Sequence, residues 1–244
     1  MDTINLSDCH VLIASPVMDG RVDFVYHNSL MKTKALLEAF GAKVQTLGTK
    51  YCADVALARS RIFGAFIRLD AATHLLSIDS DMGWDENDVV TMLLLKRQFL
   101  AAVGPKKLYP ITFAYNNSDD NFKQLPLFHE LETHVAEVSE VGGAFVLMTK
   151  ECGQKLADGY PELQFHGDEN VIEHGVYDPL YVKAESGTPI RRLSEDYAVC
   201  YRWRQLGGKI EVLLDATLQH VGSHTFTGNL LDCCLQQDPD FNKA

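Results

Sequence analysis

The chain has 244 residues, 46% of them apolar and 23% charged, which is enough for one large domain with a sizeable core. Its net charge of −11 disfavours, without excluding, a polyphosphate or anionic-membrane partner, and no apolar run reaches bilayer-spanning length. The opening MDTINLSDCHVLIASP holds acids and only a short apolar run, so it reads as no secretory signal, and six scattered cysteines without a C-x-x-C pair read as reduced thiols of a cytoplasmic protein.

In chain order, His10–Ala14 reads as a strand and Ser15–Gly20 as a loop. A helix follows over about His27–Phe40, closed by Gly41, and Ala42–Leu47 alternates as a strand. Across Asp54–Leu69, Val55, Ala58, Ile62, Ala65, Phe66 and Leu69 recur at helical spacing. Thr73–Asp81 is then a buried strand running out into a loop at Gly83. This β-α-β-α-β order predicts a parallel sheet with right-handed crossovers. Asp85–Arg97 carries acids in its first turn and bases in its last, which the helix dipole alone accounts for.

Phe99–Val103 reads as a fourth strand, Tyr109–Glu140 as polar and irregular, and Val141–Met148 as a strand entered through two glycines. A helix over Thr149–Leu156 precedes Tyr160–Ile190, which reads as a mobile or ligand-covering loop. Ser194 caps a helix through Leu206, halted by Gly207-Gly208, and Lys209–Asp215 is a last strand. Residues 216–226 follow with His220 and His224, and Asp238–Ala244 reads as a frayed tail.

Four stretches could carry chemistry. In an extended chain Asp79 and Asp81 point the same way about 6–7 Å apart, an arrangement that suits a hard divalent cation and equally a solvated turn. Strand ends of this kind are where open α/β sheets bind ligands. Arg59 and Arg61 either grip phosphate oxygens or are surface arginines. Glu195 and Asp196 either answer the helix dipole or aim a general base into a cleft. His220 and His224 flank Val-Gly-Ser, which argues for a loop; one imidazole could complete a metal site begun by the aspartates.

Taken together and in order, the Ser15–Gly20 loop, Ala58-Arg59-Ser60-Arg61, LLSIDSDMGW, VGGAFVLM, SEDYAVCYRWRQLGGKI and HVGSH resemble a GT-A-fold glycosyltransferase over roughly residues 9–226. The likeness is to the small stand-alone type common in bacterial viruses. It implies an α/β fold in one domain over residues 1–232, with a Rossmann-type, mostly parallel central sheet flanked by helices. A nucleotide-binding half would cover about 9–104, an acceptor-binding half about 105–226, and a tail 233–244.

The implied reaction moves a sugar from a nucleoside diphosphate sugar to an acceptor hydroxyl with Mn2+ or Mg2+, inverting configuration. Asp79, Asp81, His220 and His224 would hold the metal. Ser15, Pro16, Asp19, Arg59, Arg61, Asp79, Ser80 and Trp84 would line the donor, with Gly142 and Gly143 flanking the acceptor. Asp196 would be the base, with Glu195 beside it. Ser60 departs from the commoner Asn of the family's A-R-N-x segment. A glycan acceptor is preferred over modified DNA on charge, in the cytoplasm (of the host if the source is viral). Two other readings are a haloacid-dehalogenase-like phosphatase built on the Asp-x-Asp strand and a non-catalytic sugar-nucleotide or glycan-binding module. Against the phosphatase, Gly83 stands where those enzymes carry Thr or Val, and the motif arrives late in the element order.

Overall fold

Alternating apolar side chains lay down the central sheet. All four residues of Phe99–Ala102 are buried, with Phe99 and Ala101 turned to one face and Leu100 and Ala102 to the other, as a strand covered on both sides requires. The computed structural model describes residues 4–241 apart from 120, 186 and 239.

The elements begin β1 (His10–Val17), α1 (Phe24–Ala39), β2 (Lys43–Lys50), α2 (Val55–Arg68), β3 (His74–Ile78), β4 (Met82–Gly83), α3 (Glu86–Leu94) and β5 (Phe99–Ala102). Short strands β6 (Tyr115–Asn116), β7 (His129–Glu130), β8 (Val135–Val138) and β9 (Glu140–Val141) lead to β10 (Phe145–Thr149) and α4 (Lys150–Gly159). Then come β11 (Gln164–His166), β12 (Ile172–His174), β13 (Leu180–Lys183), β14 (Ile190–Leu193), α5 (Glu195–Gln205), β15 (Ile210–Leu213), β16 (Leu218–Val221), β17 (Thr225–Gly228) and α6 (Leu230–Gln237).

The main sheet runs β2-β1-β3-β10-β5-β15-β8-β7. Strands β1, β2, β3, β5, β15 and β7 share one direction, while β10 and β8 oppose it. Helices α1 and α3 cover one face, where Tyr26, Leu37, Val89 and Met92 meet Val11, Ile13, Leu76 and Leu147. Helices α2, α4 and α5 cover the other with Phe63, Leu156 and Trp203 against Phe99, Val146 and Val212. The fold is thus a three-layer α/β arrangement around one mixed sheet.

Helix α2, which positions the site, is fixed at both ends. Asp54 accepts from the Ala56 and Leu57 amides at its start, at 2.9 and 3.3 Å. The Lys150 ammonium donates to the Phe66, Ile67 and Leu69 carbonyls at its end.

Several expectations change. The stretch Val141–Met148 is not one strand: Glu140–Val141 pairs with β6, the chain turns through Gly142 and Gly143, and β10 then inserts antiparallel between β3 and β5. Residues 160–190 are not all loop, since β11 and β12 form a hairpin and β13 pairs with β14. His220 lies on a strand, in a small sheet β17-β16-β4 that ties residues 218–228 back to Gly83. Helix α6 crosses the boundary drawn at residue 232, and Cys233, Cys234 and Leu235 pack on the core. Of the tail, residues 239 and 242–244 lie outside the described residues.

Candidate functional site

The parallel strands β1, β2 and β3 end on one edge of the sheet, where the loops after them form a cleft of about 210 Å³. Pro16 and Met18 come from the β1 end, Cys52, Ala53 and Val55 from the start of α2, and Asp79, Ser80 and Asp81 from the β3 end. Ser80 also borders an adjoining hollow lined by Asp19, Arg21, Val22 and Asp23. The Asp79 amide donates to the Ala144 carbonyl at 3.0 Å, which fixes the acidic loop against the segment entering β10.

Behind this edge lies Arg59, with 3% of its side chain exposed. Its guanidinium donates to Asp79 Oδ1 at 2.8 Å and to the Gly143 carbonyl at 3.1 Å. Its Nε faces Asp196 Oδ1 at 3.3 Å and Glu195 Oε1 at 4.0 Å. The contact with Asp196 is an ion pair without hydrogen-bond alignment, so Arg59 Nε and Asp196 Oδ1 are buried with no hydrogen-bond partner among the described residues. Burial opposes the Arg59 charge, but Asp79, Asp196 and Glu195 hold it protonated above its ordinary range. Burial and then the adjacent Asp196 push the Glu195 carboxyl up.

Gly143 makes this approach possible: a Cβ there would sit 2.3 Å from Asp196 Oδ1 and 3.0 Å from the Arg59 guanidinium carbon. Asp196 retains 20% side-chain exposure, which lies on atoms other than its buried Oδ1.

Asp81 stands on the outer side of the cleft. The Lys107 ammonium lies 2.5 Å from its Oδ2, and His220 Nε2 lies 3.5 Å from the same oxygen. Burial opposes the Asp81 charge, yet hydrogen bonds from His220 and Lys107 hold its carboxyl down at about 2. His220 Nδ1 lies 2.8 Å from the Pro105 carbonyl, which can only accept, so Nδ1 carries the proton. A neutral ring in that tautomer aims the Nε2 lone pair at a carboxylate, which is favourable only with a proton or cation between them. Burial would pull the imidazole down, but the bonds to Asp81 and Pro105 hold it above its ordinary range.

This donor set therefore fits a hard cation shared by Asp81 and His220, with the Pro105 carbonyl orienting the imidazole. Among the described residues no three His, Cys, Asp or Glu side chains gather as a metal centre. His224 stacks on Tyr109 (ring centroids 5.3 Å apart) and packs on Phe226 rather than joining Asp81 and His220.

Other expected residues are placed as follows. Pro16, Asp79 and Ser80 line the cleft, and Asp19 the hollow beside it. Ser15 is buried, its hydroxyl 2.6 Å from that of Tyr26, so it faces the core and not the cleft. Trp84 is also a core residue, with its indole N–H donated to Thr33 and its ring packed edge-on against Tyr26. Arg59 is too buried to meet a phosphate, and Arg61 pairs with Asp168 at 2.6 Å. Gly142 lies close beneath Ala114, where its amide donates to the Ala114 carbonyl. Two cations stand nearby, Arg21 in the adjoining hollow and Lys107 on Asp81, and neither belongs to a motif that marks it as a site residue. Met18 and Tyr51, 66% and 81% exposed, add an apolar rim.

No family model matches the chain, and no curated protein matches it. Among solved structures, A197 from STIV aligns with 13% identity over 87% of this chain and 86% of that one, with a TM-score of 0.52. GalNAc-T7 with UDP, GalNAc and Mn2+ aligns with 13% identity over 88% of this chain and 44% of that one, with a TM-score of 0.46. A glycosyltransferase involved in glycosylation of the major capsid of PBCV-1 aligns with 12% identity over 63% and 67%, with a TM-score of 0.32. At these identities the likeness is one of fold alone. With the sheet described above, the likeness to A197 bears out the GT-A-like α/β fold expected from the sequence. Among the described residues no helix is long and apolar enough to cross a membrane.

Proposed function

We propose that this cleft transfers a sugar from a nucleoside diphosphate sugar to an acceptor hydroxyl, with inversion at the anomeric carbon. The observation that carries the reading is the convergence of the β3-end carboxylate of Asp79 and the α5 carboxylates on a single buried guanidinium at the sheet's ligand-binding edge. Asp79 and Asp196, distant in sequence, are thereby held within reach of one substrate.

Asp196 removes the acceptor proton as the hydroxyl attacks from the face opposite the leaving diphosphate, with Glu195 beside it, its carboxyl pushed up by burial and then by the adjacent Asp196. Arg59 fixes the Asp196 carboxylate beside Gly143, and its exposed side is the one that would meet the acceptor. Pro16, Met18 and the start of α2 enclose the nucleotide, and Arg21 meets phosphate oxygens from the adjoining hollow. Asp81 and His220 would hold Mn2+ or Mg2+, and such an ion would supply positive charge to a leaving diphosphate. The phosphatase reading requires Asp79 as a free nucleophile, but its Oδ1 is taken by Arg59.

Incubation with a panel of nucleoside diphosphate sugars and Mn2+ is expected to release nucleoside diphosphate slowly even without acceptor. Release of inorganic phosphate from simple phosphomonoesters would favour the phosphatase instead. Binding without turnover across an acceptor panel would favour a non-catalytic module. Asp196→Asn should lower turnover by roughly 10²–10⁴ with donor binding nearly unchanged, and NMR of the parent's product should show inverted configuration. A fully active Asn variant, or a retained product, removes Asp196 from the role of base.

A further inference from the structure

The Lys107 ion pair is built by more than chance proximity of a flexible side chain. Residues 105–107 are anchored from two directions: the Pro105 carbonyl accepts from His220 Nδ1, and the Lys106 amide donates to the Thr112 carbonyl at 2.7 Å. The Lys107 stem then passes over Gly222, where a Cβ would lie 3.0 Å from Lys107 Cδ. The Val221 amide in turn donates to the Asp81 carbonyl at 2.9 Å, so the hairpin that gives passage to the lysine also holds the aspartate backbone. At the end of this path the ammonium meets Asp81 Oδ2, the same oxygen that faces His220 Nε2.

Two positive charges on one carboxylate oxygen repel each other, and the Asp81 side chain, 31% exposed, is only partly screened by solvent. We propose that Lys107 is a built-in competitor for the cation site, so that a divalent ion binds Asp81 and His220 only as the Lys107 ammonium leaves Asp81. The proposal rests on the reading of Asp81 and His220 as cation ligands. It adds that the resting affinity for the ion is set by a residue which is not itself a ligand.

The test measures Mn2+ binding to the full chain by electron paramagnetic resonance of the free ion, without nucleotide, in the parent and four variants. Lys107→Met should bind Mn2+ about tenfold more tightly than the parent, equivalent to about 1.4 kcal/mol. Lys106→Met makes the same change in net charge one residue away and should stay within about twofold of the parent, as should Lys107→Arg, which keeps the competing charge. Asp81→Asn should abolish the binding, which locates the ion.

Equal affinity in Lys107→Met and the parent, with Asp81→Asn still inactive in binding, overturns the competition while leaving the metal site standing. Equal gains in Lys106→Met and Lys107→Met overturn it too, since net charge alone would then account for the effect. No Mn2+ binding by parent or Lys107→Met, or binding that survives Asp81→Asn, overturns the metal reading and the competition together. Far-UV circular dichroism of each variant separates these results from loss of fold.

Discussion

Arg59 joins α2 to three other segments through Asp79, the Gly143 carbonyl and the α5 carboxylates, and its removal would leave three acidic side chains crowded without a cation. Breaking a buried ion pair from one side costs about 3–5 kcal/mol, because the remaining charges stay desolvated. Arg59→Met is therefore expected to lose about 3 kcal/mol of stability at neutral pH, read from urea unfolding midpoints. Arg59→Lys should fall between the two, since one ammonium cannot span Asp79, Gly143 and Asp196 as the planar guanidinium does. A Met variant as stable as the parent would show that the three acids relax into solvent without cost. The sequence announced a charge at position 59 but not its burial, and so suggested a phosphate ligand. Periodicity held the missing cue: Arg59 lies one residue from Ala58 and three from Ile62, all on the buried side of α2. The same kind of oversight moved Trp84 to the donor, because an aromatic next to a glycine says nothing about which way its ring turns.

At the scale of the element, α3 carries a charge its own packing opposes. Asp88 lies in its first turn with Oδ2 buried and without a hydrogen-bond partner among the described residues. Burial first, then the nearby Asp85 and Asp215 charges, raise its carboxyl to about 6, against the Thr217 amide that favours the charged form. A carboxyl whose folded value exceeds its unfolded one contributes stability below about pH 4, and that contribution is lost as pH rises through about 6. Because the side chain is partly exposed, screening reduces the effect to about 1 kcal/mol. Asp88→Asn should thus be about 1 kcal/mol more stable than the parent at pH 8 and no more stable at pH 4, by urea midpoints at the two pH values. A variant weaker at both would mean that the helix dipole's attraction for the carboxylate prevails. Elements of this sort were legible from the sequence because hydrophobic spacing is local: the α2 stripe from Asp54 to Leu69 and the β3 run stand close to where the pattern put them. The antiparallel insertion of β10 and the pairing of β4 with β16 were not, since each joins residues more than forty positions apart and leaves no local trace.

Across the whole molecule, charge bears on the acceptor. Acidic residues outnumber basic ones by 33 to 22, and several of the basic groups are committed within the fold. Lys107 pairs with Asp81, Arg191 with Glu140 at 2.5 Å, and Arg202 is buried, donating to the Val176 and Asp178 carbonyls. Lys106 and Arg192 are exposed but lie on separate segments. Only the tertiary contacts show which of these cations are committed, just as only those contacts bring Asp196 to Asp79. A protein that neutralises Z phosphates loses affinity with a slope of about −0.9Z against the logarithm of salt. If only Lys106 and Arg192 meet phosphates, the slope should be about −1 to −2, and duplex DNA should bind no tighter than about 10⁻⁴ M at physiological salt. Fluorescence anisotropy with a labelled duplex between 50 and 200 mM salt measures both quantities. Micromolar binding with a slope of about −5 or steeper would mean that the committed cations release their partners on contact with DNA. It would also make a modified base a better acceptor than the glycan favoured here. Weak, shallow binding leaves the hydroxyl of a neutral or cationic acceptor as the group that can approach so acidic a surface.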